Sequence, residues 1–288
     1  MITGMPRIAI AVRDFATSVA TFREKLGMPV VDLSESSVKS LGASLALCVP
    51  EGGSNIEIMS PADPDAALSQ SLQRFLDRRG EGLFALMLEA PDPDREAEIL
   101  LDRGLNVLPL MQGAGGRDVH PDSTHGVLIR VYPVDSLAGH EGIGPTNAQN
   151  KPELSGIARI IIAVEDLDSA VEVYGTRFAM DTRIDMGSPS LEGERGVRTA
   201  ICRPPTGGLI ELVSVKDSKR PFARSIRKFL DGDREGMFAV VLQSRDLQSS
   251  RRALLARGVD VAPSDESPDV LEVERGATFG MRVRIEAI

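Results

Sequence analysis

The chain opens on a regular alternation of large apolar residues with small or charged ones. In PRIAIAVRD, residues 6–14, aliphatic side chains take every second position from Ile8 to Val12, between an arginine and two alanines. This period of two predicts a strand with one apolar face and one face of small residues beside a charge. The period then becomes helical, between a capping aspartate and a terminating glycine. The residues concerned are Asp14, Phe15, Val19, Phe22, Leu26 and Gly27.

The first half of the chain continues as two units with the order βαβββ. Gly52 and Gly53 predict a turn between strands of the first unit, and Gly104 predicts the end of the helix in the second. The predicted strands after the first helix lie at about 38–49, 55–59, 83–89, near Val107 and at 127–132, and the predicted helices lie around Leu72 and at about 94–103.

The opening strand returns in the second half as ARIIIAVED, residues 158–166. Other landmarks recur 154 positions apart (211 − 57, 238 − 84, 284 − 130), whereas the first arginine recurs after 152 (159 − 7). The pairs are Glu57 and Glu211, Phe84 and Phe238, Arg130 and Arg284, and Arg7 and Arg159. A repeat of this length predicts two copies of one fold. The predicted boundaries are a domain at 1–133, a linker at 134–156 that is rich in Gly, Pro, Asn and Ser without periodicity, and a domain at 157–288.

Composition and charge narrow the classes of function. The net charge of −9 argues against nucleic acid as a partner, because phosphate binding depends on Lys and Arg. No apolar run approaches the roughly 20 residues that cross a bilayer, and MITGMPRIAI does not have the form of a signal peptide, so we expect a cytoplasmic protein without a membrane partner. Cys48 and Cys202, again 154 apart (202 − 48), are predicted to be buried small hydrophobic residues.

Four phrases carry a resemblance to a known family: RIAIAVRD, RFLDRRGEGLFALMLEA, DRGLNVLP, and GAGG followed by HPDSTHGVLIRV. Together they resemble the vicinal oxygen chelate superfamily, the group of glyoxalase I, methylmalonyl-CoA epimerase, bleomycin-resistance proteins and extradiol dioxygenases, and they are most similar to the epimerase branch. The resemblance covers nearly all of residues 5–133 and, more weakly, 157–288. It implies an α+β fold, in which four βαβββ modules form two tandem domains with cupped mixed sheets.

In this family four strand residues at the bottom of the cup hold a divalent metal, and in the epimerase branch they are His, Glu or Gln, His and Glu. The resemblance places these positions on Arg7, Glu57, Ala85 and Arg130, and in the second half on Arg159, Glu211, Ala239 and Arg284. A guanidinium has no lone pair for a cation and is permanently charged. The sequence therefore predicts that neither cup holds a metal at the family position and that no cofactor is bound. The same argument removes the iron ligands of an extradiol dioxygenase.

Each Arg-Glu-Arg set has three interpretations. It is an active site without metal, in which arginines stabilise a developing enolate and the glutamate is a base. It is a pocket for an anion. It is an internal ion cluster, in which two guanidinium groups surround one carboxylate, since buried charges are usually paired. An adjacent cation lowers a carboxylate pKa by roughly 1–3 units, which weakens Glu57 as a base.

Two features are not repeated: a pair of histidines lies in the first half only, and a basic segment lies in the second half only. His120 and His125 precede the strand that bears Arg130, where an imidazole exchanges protons near neutral pH or is simply solvated. Residues 216–228, KDSKRPFARSIRK, form either a patch for phosphate, such as that of coenzyme A, or a solvated helix face.

The first functional hypothesis is a metal-independent isomerase or lyase that acts next to a carbonyl or thioester. Arg7 and Arg130 would stabilise charge, Glu57 would act as base or orient the substrate, and His125 would donate a proton. The predicted substrate-binding residues are Arg159, Glu211, Arg284 and His120.

The second hypothesis is a protein of the bleomycin-resistance type that binds or sequesters a small molecule without chemistry. In a third, one half binds while the other stabilises the pair. The predicted partner in each case is a small molecule, anionic or CoA-linked, and the chain is a monomer or a homodimer.

Overall fold

The computed structural model describes residues 1–111, 116–136, 141–185, 195–233 and 235–288. The strands are β1 Gly4–Ala11, β2 Val30–Asp32, β3 Ala43–Cys48, β4 Asn55–Pro61, β5 Gly82–Ala90, β6 Arg117–Val119, β7 Ile129–Pro133, β8 Ile157–Ala163, β9 Asp181–Asp185, β10 Val197–Arg203, β11 Leu209–Val215, β12 Gly236–Ser244, β13 Val261–Pro263, β14 Val270–Val273 and β15 Val283–Ala287. The helices are α1 Phe15–Ala20, α2 Ser34–Leu41, α3 Ala67–Arg79, α4 Pro93–Asp102, α5 Leu167–Val171, α6 Pro221–Asp233 and α7 Leu247–Ala256. Helices α1 and α5 continue into π-helical turns, Thr21–Lys25 and Glu172–Arg177.

The strands form two mixed sheets with the same plan. The first has the order β2-β3-β4-β1-β5-β7-β6, and the second has the order β13-β14-β15-β12-β8-β11-β10-β9. In each sheet the first strands of two modules pair antiparallel at the centre, β1 with β5 and β8 with β12. Each of these strands also pairs in parallel with the last strand of its own module. The α+β class and the tandem arrangement are therefore confirmed.

Two predicted strands of the first half were wrong in their extent. The segment predicted as a strand at 38–49 begins inside helix α2 and becomes a strand only at Ala43. The Asp32 carboxylate accepts from the Ser34 backbone N at 2.8 Å, and Gly42, with φ of 69°, ends the helix in the left-handed region. Val107 forms a single bridge with Val119 rather than a strand. The phrase GAGG, 113–116, lies largely outside the described residues.

Opposite faces of each sheet bury different cores. The aliphatic face of β1, with Ile8 and Ile10, belongs to one apolar core that also contains Ile160 and Ile162 of the second half. The other face of each sheet is the inside of a cup, and an amphipathic helix fills it. The buried side chains that fill the cups are Leu68, Leu72 and Leu76 from α3, and Phe222, Ala223, Ile226 and Leu230 from α6. Both cups are thus packed with apolar side chains of the same chain.

The two halves also touch through polar and backbone groups. Ser54 and Ile157 form a bridge, and the Tyr174 hydroxyl donates to the Thr124 carbonyl at 3.1 Å. The strands of the first sheet lie within 4–133 and those of the second within 157–287. The domain boundaries at 133 and 157 remain a prediction, and residues 137–140 of the linker lie outside the described residues. In the described ranges, no helix is long and apolar enough to cross a membrane.

Candidate functional site

The first cup contains a buried ion pair at two of the family positions. Arg7 on β1 and Glu57 on β4 lie on adjacent parallel strands, where Ala9 pairs with Glu57 and places the two side chains on the cup face. The Arg7 Nε donates to Glu57 Oε2 at 2.8 Å, and the residues are 3% and 1% exposed. Among the described residues, Glu57 Oε1 is buried without a hydrogen-bond partner. Arg7 therefore neutralises Glu57 but leaves one carboxylate oxygen unsatisfied.

Arg130 does not share Glu57, and the expected cluster of two guanidinium groups on one carboxylate is wrong for this cup. Its Nε and a terminal nitrogen both bind the Asp118 carboxylate instead. Asp118 on β6 is the register partner of Arg130 on β7, so the fork faces that carboxylate directly. Burial opposes the Arg130 charge, but Asp118 outweighs this effect and raises the pKa of Arg130.

Tyr132 contacts both arginines of the first cup. Its ring centroid lies 4.5 Å from Arg7 Cζ and 5.8 Å from Arg130 Cζ, and its hydroxyl accepts from Arg130 at 3.4 Å. Burial raises the pKa of Tyr132, so the hydroxyl is neutral at physiological pH. Stacking over the ring stabilises both cations without a further carboxylate.

The second cup places two guanidinium groups on Glu211, but one of them comes from an unexpected residue. Arg159 donates to Glu211 at 2.8 Å, and Arg195 donates to it at 2.7 Å. Arg159 also binds both oxygens of Glu286, at 2.7 and 2.8 Å. Burial raises the pKa of Glu211, but Arg195 and Arg159 outweigh it and hold this pKa below its ordinary value.

Arg284, the remaining family position of the second cup, binds other carboxylates. It forms an ion pair with Glu266 and donates to Glu272 at 3.3 Å. Glu272 is the repeat counterpart of Asp118 (272 − 118 = 154), and it is the register partner of Arg284. The repeat thus preserves an arginine-carboxylate pair on neighbouring strands in both halves.

The residues at the family positions do not fit a divalent metal. Glu57 and Glu211 are the carboxylates of their sets, and each is bound by an arginine at 2.8 Å. Across the described ranges, no group of three or more His, Cys, Asp or Glu side chains is arranged to hold a metal ion. A cation at either position would meet a single carboxylate that is already paired with arginine, and the guanidinium groups around it would repel the cation.

Access to the two sets differs. In the first cup Arg7, Glu57 and Arg130 are each at most 4% exposed. In the second, Arg159 lies on the wall of a cavity of about 770 Å³ between the halves, which we call the linker cavity; it is also lined by Glu51, Lys151, Gln243 and Arg245. The first set is thus sealed and the second is partly open.

The structure does not bring the histidines onto the Arg-Glu pairs. His125 Nδ1 contacts Glu235 Oε2 of the other half at 2.9 Å, with φ of 54°. His120 is 44% exposed on its side chain and contacts Asp122 at 2.9 Å. It lines a second cavity between the halves, of about 640 Å³. The roles predicted for both histidines remain predictions.

The basic segment at 216–228 is partly engaged in ion pairs. Arg227 binds Glu165 and Asp231, and Arg224 donates to the Lys219 carbonyl at 2.9 Å. The opposite side of the same helix fills the second cup. These contacts favour the solvated helix face over the phosphate patch.

Sequence reasoning missed several residues of these clusters. Tyr132 stands two positions after Arg130, so strand alternation already placed it on the cup face. Asp118 needed the β6–β7 register. Arg195 had no signal, since its repeat counterpart is Leu41 (195 − 41 = 154).

Comparisons with known proteins identify relatives of this architecture. A model of the Glyoxalase/Bleomycin resistance protein/Dioxygenase superfamily matches residues 7–120. A search of the curated proteins found no match. Among solved structures, a triple mutant of 4-hydroxymandelate synthase from Streptomyces coelicolor is 15% identical, with a TM-score of 0.67 over 100% of this chain and 93% of that chain.

Two further solved structures extend the comparison. A fusion of a xylose isomerase-like TIM barrel with 4-hydroxyphenylpyruvate dioxygenase is 15% identical, with a TM-score of 0.60, and this chain spans 49% of its length. Methylmalonyl-CoA epimerase from Mycobacterium tuberculosis is 22% identical over 47% of this chain and 89% of that chain, but its TM-score of 0.39 supports no argument. At these identities the likeness shows a shared two-domain fold and nothing about activity.

Proposed function

We propose, from the premise that this chain belongs to the glyoxalase/bleomycin resistance/dioxygenase superfamily, that it binds a small molecule without metal chemistry. The observation that carries the proposal is the state of the two cups. At the family positions, arginines neutralise Glu57 and Glu211, and helices α3 and α6 pack over the cups. These features support binding or sequestration of an anionic or CoA-linked ligand rather than chemistry at the cup floor.

The energetics of the first cup support this choice. A general base must reach its substrate and needs a pKa near the working pH. Glu57 is 1% exposed and paired at 2.8 Å with Arg7, so its carboxylate is out of reach of a substrate while the cup is closed. Opening this cup for a substrate would expose the apolar side of α3, which includes Leu72 at 0% exposure.

The test is ligand-induced stabilisation of the full chain against a panel of neutral, anionic and CoA-linked compounds. Thermal unfolding of the chain would identify binders, and mass spectrometry of the incubated mixture would detect any product. We expect a binder that raises the unfolding midpoint and is recovered unchanged, with or without added Zn²⁺, Mn²⁺, Fe²⁺ or Ni²⁺. A product that forms only with one of these metals would refute the proposal.

A metal-independent isomerase or lyase is the second candidate, because Glu57 Oε1 is buried and no residue in the described part of the chain forms a hydrogen bond with it. In this candidate the free carboxylate oxygen of Glu57 would act as the base, and Arg7 would stabilise the negative charge that develops on the substrate. If a product forms from a carbonyl compound or thioester without metal, Glu57→Gln should abolish its formation while ligand-induced stabilisation persists. Unchanged turnover in Glu57→Gln would exclude this candidate.

A further inference from the structure

The cavity of about 640 Å³ lies across the boundary between the two halves, and we call it the arginine cavity. Its apolar wall comes from both halves through side chains of one repeat: Phe75 and Phe229, Phe84 and Phe238, and Leu83 and Met237, each pair 154 positions apart (229 − 75, 238 − 84, 237 − 83). Ligand sites of this kind measure roughly 300–1,000 Å³ and are mostly apolar. The arginine cavity is thus large enough for a small organic ligand.

The charge of the arginine cavity is strongly positive. Glu81 is the one carboxylate among its described lining residues, and its Oε1 accepts from the Arg13 backbone N at 2.6 Å. The lining arginines are Arg74, Arg78, Arg79, Arg275 and Arg282. In the ranges that the structure describes, none of these five forms an ion pair. The net charge of the chain is −9, so this cluster is a local exception.

Arg282 is the arginine that lies deepest in the cavity wall. Its Nε is buried and has no hydrogen-bond partner among the described residues, and its Cζ stacks 4.2 Å from the Phe238 ring centroid. Burial, with Arg275 nearby, lowers the pKa of Arg282 to about 10, and Glu272 opposes this shift only in part. A buried guanidinium nitrogen without a hydrogen-bond partner is costly unless an anion compensates it.

Most of the cavity arginines have no basic residue at the equivalent position of the other half. Leu128 and Arg282 are equivalent (282 − 128 = 154), and their carbonyls accept from Leu86 N at 2.9 Å and from Val240 N at 3.0 Å. Where the first half carries Leu128, the second half carries the cation. Likewise Pro121 corresponds to Arg275 (275 − 121 = 154). The apolar wall is repeated, whereas of the five arginines only Arg74 has a basic counterpart, Lys228 (228 − 74 = 154), so folding of the module does not require the other four charges.

We propose that the arginine cavity binds a small organic anion, whose carboxylate or phosphate pairs with Arg282 and whose apolar body lies on Phe75, Phe84 and Phe229. This assignment rests on the proposed binding function and names its site and ligand class. Arg78 and Arg275 at the rim attract the anion, and the guanidinium fork of Arg282 holds it at short range.

The experiment titrates the full chain with anilinonaphthalene sulfonate, an aromatic anion that fluoresces in an apolar site, and with phenylnaphthylamine, which lacks the sulfonate. We expect one sulfonate per chain and at least about tenfold weaker binding of the uncharged probe. Arg282→Leu installs the residue of the equivalent position Leu128. It should weaken sulfonate binding by about 10- to 100-fold and leave the uncharged probe unaffected.

Two further variants serve as checks. Arg95→Leu removes an exposed arginine of α4 outside the cavity and should leave both titrations unchanged. Arg275→Ala, at the exposed rim, should weaken sulfonate binding about two- to fivefold, with loss of the effect at high salt. If Arg282→Leu fails to fold, the assignment is tested by the Arg275→Ala titration. Sulfonate affinity equal to that of the wild-type chain in Arg275→Ala would then overturn the assignment.

Equal sulfonate affinity in Arg282→Leu and the wild-type chain would refute the assignment, as would equal binding of the two probes. Other outcomes separate the site assignment from the proposed function. If compounds of the panel stabilise the wild-type chain and Arg282→Leu equally, the chain binds ligands elsewhere and only the site assignment is wrong. If the sulfonate binds as expected but a panel ligand is converted to product with metal, the site stands and the non-catalytic function is wrong.

Discussion

At the scale of single residues, the buried charges of each cup are paired with opposite charges of the same chain. Arg7 and Glu57 neutralise each other, and Arg130 and Asp118 do the same. Because these groups are almost fully buried, they depend on their partners far more than surface charges do. Ion pairs thus occupy positions where the resemblance led us to expect metal ligands, and the Tyr132 ring contacts both arginines.

We predict that Arg7→Ala lowers the free energy of unfolding by about 3–5 kcal/mol, because it leaves the buried Glu57 carboxylate without its partner. Urea denaturation followed by circular dichroism would measure the change. The matched control is Lys39→Ala, which removes an exposed helix pair with Glu35 at 3.3 Å and should cost less than about 0.5 kcal/mol. A loss below about 1 kcal/mol for Arg7→Ala would contradict the buried pair.

The depressed pKa of Glu211 predicts how stability depends on pH. Its carboxylate contributes stability above its ordinary pKa of 4.5, and this contribution is lost as the pH falls through the lower pKa of the folded state. Glu211→Gln should therefore flatten the decrease in the free energy of unfolding below about pH 4.5. Glu35→Gln, in an exposed position, should leave this decrease unchanged. Identical acid profiles for Glu211→Gln and wild type would show that Glu211 does not titrate in this range.

At the scale of secondary-structure elements, two long helices decide what the cups contain. Helices α3 and α6 are both 13 residues long and present apolar side chains to the sheet at helical spacing. Leu72 and Ile226 are equivalent (226 − 72 = 154) and both are 0% exposed. In each half the helix shares a buried apolar cluster with the alanine at one family position, Ala85 or Ala239.

We predict that Leu72→Ala and Ile226→Ala each lower the free energy of unfolding by about 2–5 kcal/mol, since each leaves a cavity under a helix. Thermal and urea unfolding of the single variants would give the values. Leu101→Ala, at an exposed position of α4, is the control and should cost little. If either core variant left the free energy of unfolding nearly unchanged, its helix would not be packed in the cup in solution, and that cup would be open to ligands.

At the scale of the whole molecule, the two halves meet around an approximate twofold repeat. Gly126 and Gly280 are equivalent (280 − 126 = 154), with φ of 76° and 77°. A Cβ on Gly126 would collide with the Glu235 carbonyl, and one on Gly280 would collide with the Glu81 carbonyl. Close backbone approach therefore holds the halves together beside the arginine cavity.

We predict that Gly126→Ala and Gly280→Ala separate the halves locally, which increases the rate of proteolysis in the linker at 134–156 and broadens the unfolding transition. The control is Gly258→Ala, whose φ of 71° is similar but whose Cβ would meet no atom within 4 Å. It should cost only the backbone strain of about 1 kcal/mol. Equal proteolysis rates in Gly126→Ala and Gly258→Ala would contradict the contact.

Much of this architecture was predictable because it is periodic. The alternation in β1 correctly placed Arg7 on the face opposite Ile8, and the repeat transferred that result to Arg159. Helix α2 was not predictable in this way, since Ser34–Leu41 carries few apolar side chains, and its C-terminal end depends on Gly42. Local capping thus overrode the pattern at 38–49.

The sequence by itself determined which face of each sheet carries the charges, and it determined that an arginine stands where a metal ligand is expected. Only the tertiary structure decided which charges meet: Asp118 rather than Glu57 binds Arg130, and Arg195 joins Glu211. The arginine cavity likewise exists only where the halves pack. The physical reason is that the face of a side chain follows from local backbone geometry, whereas the distance between two charges follows from strand register and domain packing, which are set by contacts far apart in the chain.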